Sequence, residues 1–382
     1  MRKKQYRLHQ SDLSSLLENL RRRGYQPYGP QRRDHAIEWL PLDGIHQLPA
    51  GWTTTTAPAT YRMQERSDQA LFGYWTGPDS LKKLLHPPEA CLLKAEYNGG
   101  VRFVRQAPAE VKRAFIGVRA CDLAAVAALD RVLLSDRWVD DIYQANRNGA
   151  LLIAVNCTSS APTCFCASMG SGPRARSGYD IALTERVGDG SSEFLAEPGS
   201  EAGASILEEL TALAAPAGWE KEAEESCQSA AAAQTRAVDA SSAPAVIDRT
   251  FDHPRWDQTA RRCLACGNCT SVCPTCFCVN IEERNALDLR SAERLRVWDS
   301  CFTQAFTYIH GGSIRTTPKS RYRQWLSHKL ARWQEQFGMP GCTGCGRCIA
   351  WCPAGIDITE EMAALEASSG STYPTGVSTH GN

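Results

Sequence analysis

Two copies of one cysteine pattern constrain the fold of this chain more than any other feature. The spacing C-x-x-C-x-x-C-x-x-x-C-P occurs at residues 263–274 and again at residues 342–353. Gaps of two residues let the backbone curl around a cube of iron and sulfide, so that three thiolates point at three irons. The proline after the fourth cysteine stiffens the exit of the loop and has no amide that needs a partner. The repeat therefore predicts two 4Fe–4S clusters.

The spacing also predicts which cysteines share a cluster. In proteins with two such runs, the first three cysteines of a run bind one cluster and the fourth binds the other. We therefore expect the first cluster to be held by Cys263, Cys266, Cys269 and Cys352. We expect the second cluster to be held by Cys342, Cys345, Cys348 and Cys273. Zinc is the alternative, but zinc sites usually pair two C-x-x-C units and stop at four ligands.

The composition argues against several classes of protein. The 382 residues carry no formal net charge, which argues against a general nucleic-acid binder. No apolar run reaches the roughly 18 residues of a membrane span, and no secretory signal follows the basic start of the chain. Seventeen cysteines without such a signal indicate a reducing compartment in which cysteines serve metals. We therefore expect a cytoplasmic protein with no membrane span and no nucleic-acid partner.

A second group of cysteines follows the strands of a predicted βαβ unit. Residues 114–118 and 151–155 have the pattern of buried strands, and residues 123–134 between them have that of an apolar helix. The strands of such a unit are usually parallel and adjacent, and the loops at their carboxyl ends form a ligand-binding crevice. Cys121 and Cys157 each come just beyond a strand end, so this fold would bring them together.

Two more cysteines lie in the loop that follows Cys157. Cys164 and Cys166 are two residues apart, and alternate side chains of an extended segment point the same way, so both can face one metal. A third 4Fe–4S cluster could thus be held by Cys121, Cys157, Cys164 and Cys166. A zinc site made of the same four residues is the main alternative. Cys121 and Cys157 could also be small buried hydrophobic residues.

Three further cysteines have no assigned role. Cys276 and Cys278 repeat the T-C-F-C string of residues 163–166 and could offer alternative ligands, although a hydrophobic contact beside the first cluster is the preferred interpretation. Cys301 is equally ambiguous. It lies in a long aromatic-rich insert, residues 279–341, which is either a core packed over the clusters or a docking face.

The expected fold class is α+β. An N-terminal α/β domain, residues 1–197, contains the third metal site. An Ala/Glu-rich helical linker, residues 198–247, joins it to a ferredoxin-like two-cluster 4Fe–4S domain with a helical insert, residues 248–366. Residues 367–382 are rich in serine, threonine and glycine and are expected to form a disordered tail.

Local patterns predict three details of the α/β region. Asp122 is expected to cap the helix over residues 123–134. Residues 48–67 read as an irregular solvated loop or an edge strand. Residues 179–187 and 193–196 are expected to form a hairpin across a Gly-Asp-Gly-Ser turn.

The chain resembles the iron–sulfur beta subunits of cytosolic nickel–iron hydrogenases, the sulfhydrogenases, and a related iron–sulfur subunit of anaerobic sulfite reductase. The matching strings run from Ala114 to Glu361 and are GVRACDLAAVAALDRVLL, NCTSSAPTCFCASMGSGP, CLACGNCTSVCPTCFC, WDSCF, SRYRQWLSHKL and GCTGCGRCIAWCPAGIDITEE. The cluster motifs alone would be generic, whereas the CDLAA, TCFCASMGSGP and RYRQW strings make the match specific.

The resemblance implies an electron-transfer subunit with no catalytic residue of its own. Such subunits relay electrons through 4Fe–4S clusters between the small and large hydrogenase subunits and a flavin/NAD(P)-binding subunit. The sequence agrees, since it has no glycine-rich nucleotide-binding motif after a strand. Two alternatives stay open. One is the corresponding iron–sulfur subunit of an anaerobic sulfite reductase complex, and the other is a scaffold subunit whose metal clusters only stabilise the fold.

Overall fold

The computed structural model describes residues 4–135, 137–188, 191–210 and 212–368. Within these residues the strands are β1 (Tyr6–His9), β2 (Gln26–Arg33), β3 (Ala36–Pro41), β4 (Trp52–Ala57), β5 (Thr60–Glu65), β6 (Glu89–Tyr97), β7 (Val101–Arg105), β8 (Arg113–Val118), β9 (Ala150–Val155), β10 (Ile181–Val187), β11 (Ser192–Pro198), β12 (Leu213–Ala214), β13 (Val279–Asn285), β14 (Ser291–Trp298), β15 (Tyr308–Ile309) and β16 (Gly312–Ser313).

The helices of the same residues include two short 3₁₀ turns, Ile45–Gln47 and Gln304–Thr307, and one π-helical turn, His328–Arg332. The α-helices are α1 (Asp12–Arg22), α2 (Lys82–Leu85), α3 (Ala120–Leu133), α4 (Asp141–Asn148), α5 (Glu201–Glu209), α6 (Trp219–Ala232), α7 (Ala243–Arg249), α8 (Arg255–Arg262), α9 (Asn268–Ser271), α10 (Pro318–Ser327), α11 (Trp333–Phe337), α12 (Arg347–Ala350) and α13 (Ile358–Ser368).

An eight-stranded sheet forms the centre of the α/β region, in the order β12-β1-β11-β10-β9-β8-β2-β3. Its four middle strands, β10, β9, β8 and β2, are parallel, and the flanking pairs are antiparallel. The parallel pairing of β8 with β9 confirms the predicted βαβ unit. Both strands are buried along nearly their whole length, as strands of a parallel sheet covered on two faces must be.

Two apolar cores lie on opposite faces of this sheet, because successive side chains of a strand alternate between its faces. Ile116 of β8 belongs to the core that also contains the apolar stripe of α1 and Ile206 of α5. Phe115 of β8 belongs to the other core, with Leu123 of α3 and Tyr143 of α4. The carboxyl edge of the sheet is therefore a fixed platform for the loops that follow β8 and β9.

A smaller four-stranded sheet, in the order β13-β14-β6-β7, joins segments that are far apart in the sequence. β14 pairs with β6 in antiparallel register, with Leu295 opposite Cys91. The insert expected to be helical therefore begins with two strands and becomes helical only from α10 onward. The hairpin β6–β7, from the N-terminal part of the chain, completes the sheet of the insert. No single point of the chain therefore separates the α/β region from the dicluster region.

A third core surrounds the cysteine motifs. It contains Trp256 of α8, Tyr322 and Trp325 of α10, and Leu365 of α13. Phe165, from the loop after β9, belongs to the same core and is fully buried. Aromatic residues of the insert thus form part of a packed core, as one of the two interpretations of the sequence predicted.

The segment expected to be an irregular solvated loop or an edge strand is a two-stranded hairpin, so the loop alternative was wrong and the edge-strand alternative agrees with the structure. β4 and β5 pair from Trp52 opposite Glu65 to Ala57 opposite Thr60. Thr54 and Thr56 alternate inward and are buried, and the Thr56 hydroxyl lies 3.0 Å from the Thr163 hydroxyl. A run of threonines on a half-buried strand therefore resembled a solvated loop in the sequence.

The segment proposed as a linker packs against the large sheet instead of standing apart from it. β12 pairs with β1 at the edge of that sheet, and Trp219 of α6 packs on Leu195 of β11. Cys227 of α6 is buried as well. The segment is helical, as expected, but α5, β12 and α6 pack in the α/β region, whereas α7 packs in the core around the cysteine motifs.

Two further expectations concern the ends of elements. β10 and β11 form the predicted hairpin. Of the residues proposed as a disordered tail, Ala367 and Ser368 complete α13, and residues 369–382 lie outside the described residues.

Asp122 does not cap its helix, because α3 begins two residues earlier, at Ala120. It forms a two-pronged ion pair with Arg347 of α12, with nitrogen–oxygen distances of 2.8 and 3.0 Å. Both side chains are 1% exposed. The same guanidinium donates to the carbonyl oxygen of Gly77 at 3.1 Å. This buried pair joins the α/β region to the second cysteine motif.

We expect Asp122→Ala to destabilise the anaerobically prepared protein by about 3–5 kcal/mol, because it leaves a buried guanidinium without a counter-charge. Asp141→Ala is the control, since it removes the partner of Arg105 in an exposed ion pair, and such pairs contribute about 1 kcal/mol or less. Chemical denaturation followed by circular dichroism measures both. Equal losses in the two variants would contradict the role given to the buried pair.

Candidate metal centres

The first cavity is built from both cysteine runs. α8 ends at Arg262 and is followed by Cys263, while α9 carries Cys269. The cysteines that line the cavity are Cys263, Cys266, Cys269, Cys352 and Cys348. The structure therefore brings together the four residues predicted for the first cluster, including the fourth cysteine of the distant run.

The surroundings of this cavity are apolar on one side and open on the other. Phe302, Tyr322 and Trp325 line it from the insert. On the opposite side Cys266 is exposed, and Leu264 beside it is 68% exposed. A cluster here would be shielded from water by aromatic rings, yet would have one edge at the protein surface.

The second group contains the three leading cysteines of the second run and Cys273 of the first run. Burial raises the pKa of the Cys348 thiol, and Cys342, Cys345 and Cys273 add to the rise because their thiols lie nearby. The amide of Gly344 donates to the Cys342 sulfur at 3.4 Å, which shows the tight curl of the motif. The four residues predicted for the second cluster are therefore neighbours.

Two glycines let the T-C-F-C loop after β9 lie directly on the second motif. Gly344 and Gly346 have φ values of +62° and +72°, which favour glycine. A Cβ on Gly344 would lie 2.6 Å from the backbone of Phe165, and one on Gly346 would lie 2.3 Å from the Thr163 carbonyl oxygen. The amide of Phe165 donates to the Gly344 carbonyl oxygen at 2.9 Å. This close backbone contact places Cys164 and Cys166 beside the second motif.

A third cavity lies where the loops after β8 and β9 meet this contact. Five cysteines line it, namely Cys121, Cys157, Cys164, Cys166 and Cys345. The four residues predicted for a third site are therefore brought together at the carboxyl edge of the sheet. The sequence offered no signal that Cys345 of the second motif would line the same cavity.

Two polar side chains that the sequence did not single out point at these sulfurs. The amide of Gln234, just after α6, donates to the Cys166 sulfur at 3.2 Å. The buried guanidinium of Arg119 lies 3.9 Å from the Cys157 sulfur and also donates to the Phe72 and Tyr74 carbonyl oxygens. Hydrogen bonds and positive charge at the sulfurs stabilise an anionic metal–thiolate group and tune its potential.

Burial governs the ionisation of the thiols in this cavity. It raises the pKa of Cys166 to about 12 and raises the pKa values of Cys121 and Cys164 as well. Such thiols are poor nucleophiles at neutral pH because they stay protonated. A coordinated metal deprotonates its thiol ligands, so the cavity suits metal binding better than thiol chemistry. Among the described residues, no three Cys, His, Asp or Glu side chains are placed to hold a single metal ion.

Two lysines are buried next to the first motif, and the sequence did not reveal them. The Lys329 amine, on the π-helical turn, donates to the Cys273 sulfur and the Thr275 hydroxyl, both at 3.1 Å, and to the Gly341 carbonyl oxygen at 3.0 Å. Burial by itself would lower the pKa of this amine, but the thiols of Cys273 and Cys276 outweigh it and raise the pKa. The Lys82 amine donates to the Thr270 and Ser271 carbonyl oxygens.

The three sites are adjacent to one another. Cys345, a predicted ligand of the second cluster, also lines the third cavity. Cys348, another predicted ligand of the second cluster, also lines the first cavity. The second group therefore lies between the other two, and the three form a row from the α/β region to the surface near Cys266.

The chain is similar in sequence to known proteins. Residues 262–356 match the family model of the 4Fe-4S dicluster domain. Over 357 residues the chain is 28% identical to sulfhydrogenase 2 subunit beta of Pyrococcus furiosus, and the match covers 92% of this chain and 95% of that relative. No solved structure gives a significant match. Among the described residues, no helix is long and apolar enough to cross a membrane.

The fold and the sites define the class of this protein: it is an iron–sulfur protein of mixed α/β structure with a C-terminal 4Fe–4S dicluster domain. The likeness to sulfhydrogenase 2 subunit beta extends over nearly the whole chain. This likeness to a hydrogenase beta subunit, together with the dicluster domain, confirms the resemblance predicted from the sequence strings.

We expect Lys329→Met to lower the reduction potential of a cluster in the protein by on the order of 100 mV, because it removes a buried positive charge that stabilises the reduced, more negative state. Lys83→Met is the control, since Lys83 is on the surface and pairs with Asp79. Redox titration with EPR detection of the reduced clusters measures both variants. Unchanged potentials in Lys329→Met would contradict this role for the amine.

Proposed function

We propose that this chain passes electrons along a row of three 4Fe–4S clusters, between the small and large subunits of a nickel–iron hydrogenase and a flavin/NAD(P)-binding subunit. The first cluster is held by Cys263, Cys266, Cys269 and Cys352. The second is held by Cys342, Cys345, Cys348 and Cys273. The third is held by Cys121, Cys157, Cys164 and Cys166.

The observation that carries the proposal is the sharing of cysteines between neighbouring cavities. Cys348 lies at the wall of the first cavity, and Cys345 lies at the wall of the third. Cys348 and Cys345 are proposed ligands of the second cluster. A cluster that they hold would therefore lie next to both neighbouring cavities. Such a succession is an electron path, whereas metals that merely stabilise a fold have no need to be adjacent.

The chemistry of the third cavity favours a 4Fe–4S cluster over zinc. The cavity has five sulfurs around it, one of which is a predicted ligand of the second cluster. Gln234 and Arg119 direct hydrogen-bond donors and a positive charge at two of the sulfurs. Those contacts would stabilise an anionic metal–thiolate group of either kind. Zinc, however, needs its ligands around one ion, and among the described residues no three Cys, His, Asp or Glu side chains are placed to hold a single metal ion.

Electron transfer makes few demands on the other residues. The clusters, when bound, would supply the electron path, so no side chain would have to bind a substrate or move a proton. The exposed edge near Cys266 and Leu264 is the proposed point of exchange with one partner subunit, because a cluster there is reached from outside without passing through the core.

The likeness to sulfhydrogenase 2 subunit beta supports a hydrogenase complex over an anaerobic sulfite reductase. The test is to purify the tagged chain anaerobically with its bound partners and expose the complex to hydrogen gas. Bleaching of the cluster absorption under hydrogen, with nickel in the complex, is the expected result. A sirohaem-containing partner without nickel would identify the sulfite reductase alternative. Clusters that dithionite cannot reduce would identify a scaffold.

We expect Cys164→Ser to lower the iron and sulfide content by about four of each per chain, because a cubane that loses one of four thiolates is bound weakly. Cys227→Ser is the matched control, since Cys227 is also buried but lines none of the three cavities. Iron and acid-labile sulfide analysis of anaerobically purified protein measures both. Wild-type content in Cys164→Ser, or zinc in place of the iron, would disprove the third cluster.

A further inference from the structure

Three cysteines outside the row lie around one additional cavity. Cys276, Cys278 and Cys301 line a cavity of about 340 Å³ together with His328 and Lys329. Cys276 and Cys278 follow directly after the first motif, and Cys301 follows β14. Three segments that are distant in the sequence thus direct sulfur and nitrogen atoms into the same space.

Contacts among these cysteines are close. The thiols of Cys278 and Cys301 are within hydrogen-bonding reach of each other, and so are the thiols of Cys276 and Cys273. The amide of Asp299 donates to the Cys278 carbonyl oxygen at 2.9 Å, which fixes the segment of Cys301 against that of Cys278. Cys278 is thus paired with Cys301, and Cys276 lies beside Cys273, a predicted ligand of the second cluster. All three cysteines line the same cavity.

The buried lysines beside this cavity indicate that negative charge lies close to them. Lys329 and Lys82 are 5% and 4% exposed, and neither forms an ion pair with a carboxylate among the described residues. The Lys329 amine donates to the sulfurs of Cys273 and Cys276, at 3.1 and 3.7 Å. Burying an ammonium group such as that of Lys329 is costly unless negative charge lies nearby. Thiolates bound to iron supply negative charge, whereas neutral thiols in a hydrophobic contact do not.

His328 provides a fourth donor. Its ring packs beside those of Phe277 and Trp333, with centroid distances of 6.4 and 6.1 Å, on the wall of the same cavity. It stands at the start of the π-helical turn, and such turns often occur at functional sites. Imidazole ligation of a cluster iron is known chemistry in proteins.

We propose that Cys276, Cys278 and Cys301, with His328 as the fourth ligand, hold an additional iron–sulfur cluster of the 4Fe–4S type. It lies to the side of the row and contacts it through Cys276 and Cys273. The relay then has a branch at its middle cluster, where an electron can be held apart from the direct path. This site is independent of the three assigned above, since it uses none of their ligands.

The test compares Cys278→Ser and Cys301→Ser with Cys91→Ser in the full-length, anaerobically purified chain. Cys91 lies on β6 and its thiol donates to the Leu93 carbonyl oxygen, away from every cavity described here. Each of the first two variants is expected to lose about four irons and four sulfides relative to wild type, and the control is expected to lose none. Wild-type iron content in both variants would overturn the proposal.

Native mass spectrometry and EPR of the unmodified protein keep the proposal testable if the serine variants fail to fold. Four clusters in the wild-type mass are expected, and a mass with three or fewer, one of which Cys164→Ser removes, would overturn it. Pulsed EPR of the reduced protein should show coupling to an imidazole nitrogen that His328→Ala removes. Zinc instead of iron, lost in Cys301→Ser, would overturn the iron–sulfur assignment. Because Cys164→Ser removes a different cluster, failure here leaves the proposed row of three intact.

Discussion

The contact between the T-C-F-C loop and the second cysteine motif is the constraint on which the arrangement of the metal sites depends. The backbones of Phe165 and Gly344 are joined by a hydrogen bond, and no side chain fits between them. The buried pair of Asp122 and Arg347 fixes the same two regions a few residues away. Without this contact the third cavity would lose Cys345 and its closeness to the second group. The fold of the α/β region therefore does more than support the dicluster domain, since it supplies a wall of the metal-binding region.

Burial and positive charge act together on the sulfurs. Burial raises the pKa values of most of the cysteines proposed as ligands, and keeps them from reacting as free thiolates. Arg119 and Lys329 then direct positive charge at sulfurs on two different sides of the second group. A buried cation near a cluster favours its reduced state, so these residues are expected to set the order of potentials along the row. The path of the electrons would thus depend on side chains that bind no metal.

The large sheet and the dicluster domain contribute in different ways to this arrangement. The parallel strands β8 and β9 end at the same edge, so the loops that carry Cys121 and Cys157 must be neighbours. The cysteine runs instead depend on their glycines and on the aromatic core of the insert, in which Trp325 and Tyr322 pack around the first cavity. The pairing of β6 with β14 ties the two parts together at a second place. Because the two parts share contacts at several points, they are expected to move as one body during electron transfer.

The sequence by itself determined the two cysteine runs and the strand–helix–strand unit that places Cys121 near Cys157, and it predicted the exchange of the fourth cysteines. These follow from short spacings and from hydrophobic periodicity, which are local properties of the chain. Tertiary structure alone decided that Asp122 pairs with Arg347, that Thr54 and Thr56 are buried in a hairpin, and that Lys329 and Gln234 reach cysteine sulfurs. Those contacts join residues far apart in the chain, and no local pattern records which distant side chain will meet a given polar group. The row of adjacent sites arises from such contacts, because the cysteine motifs and the loops at the sheet edge become neighbours only in the folded chain.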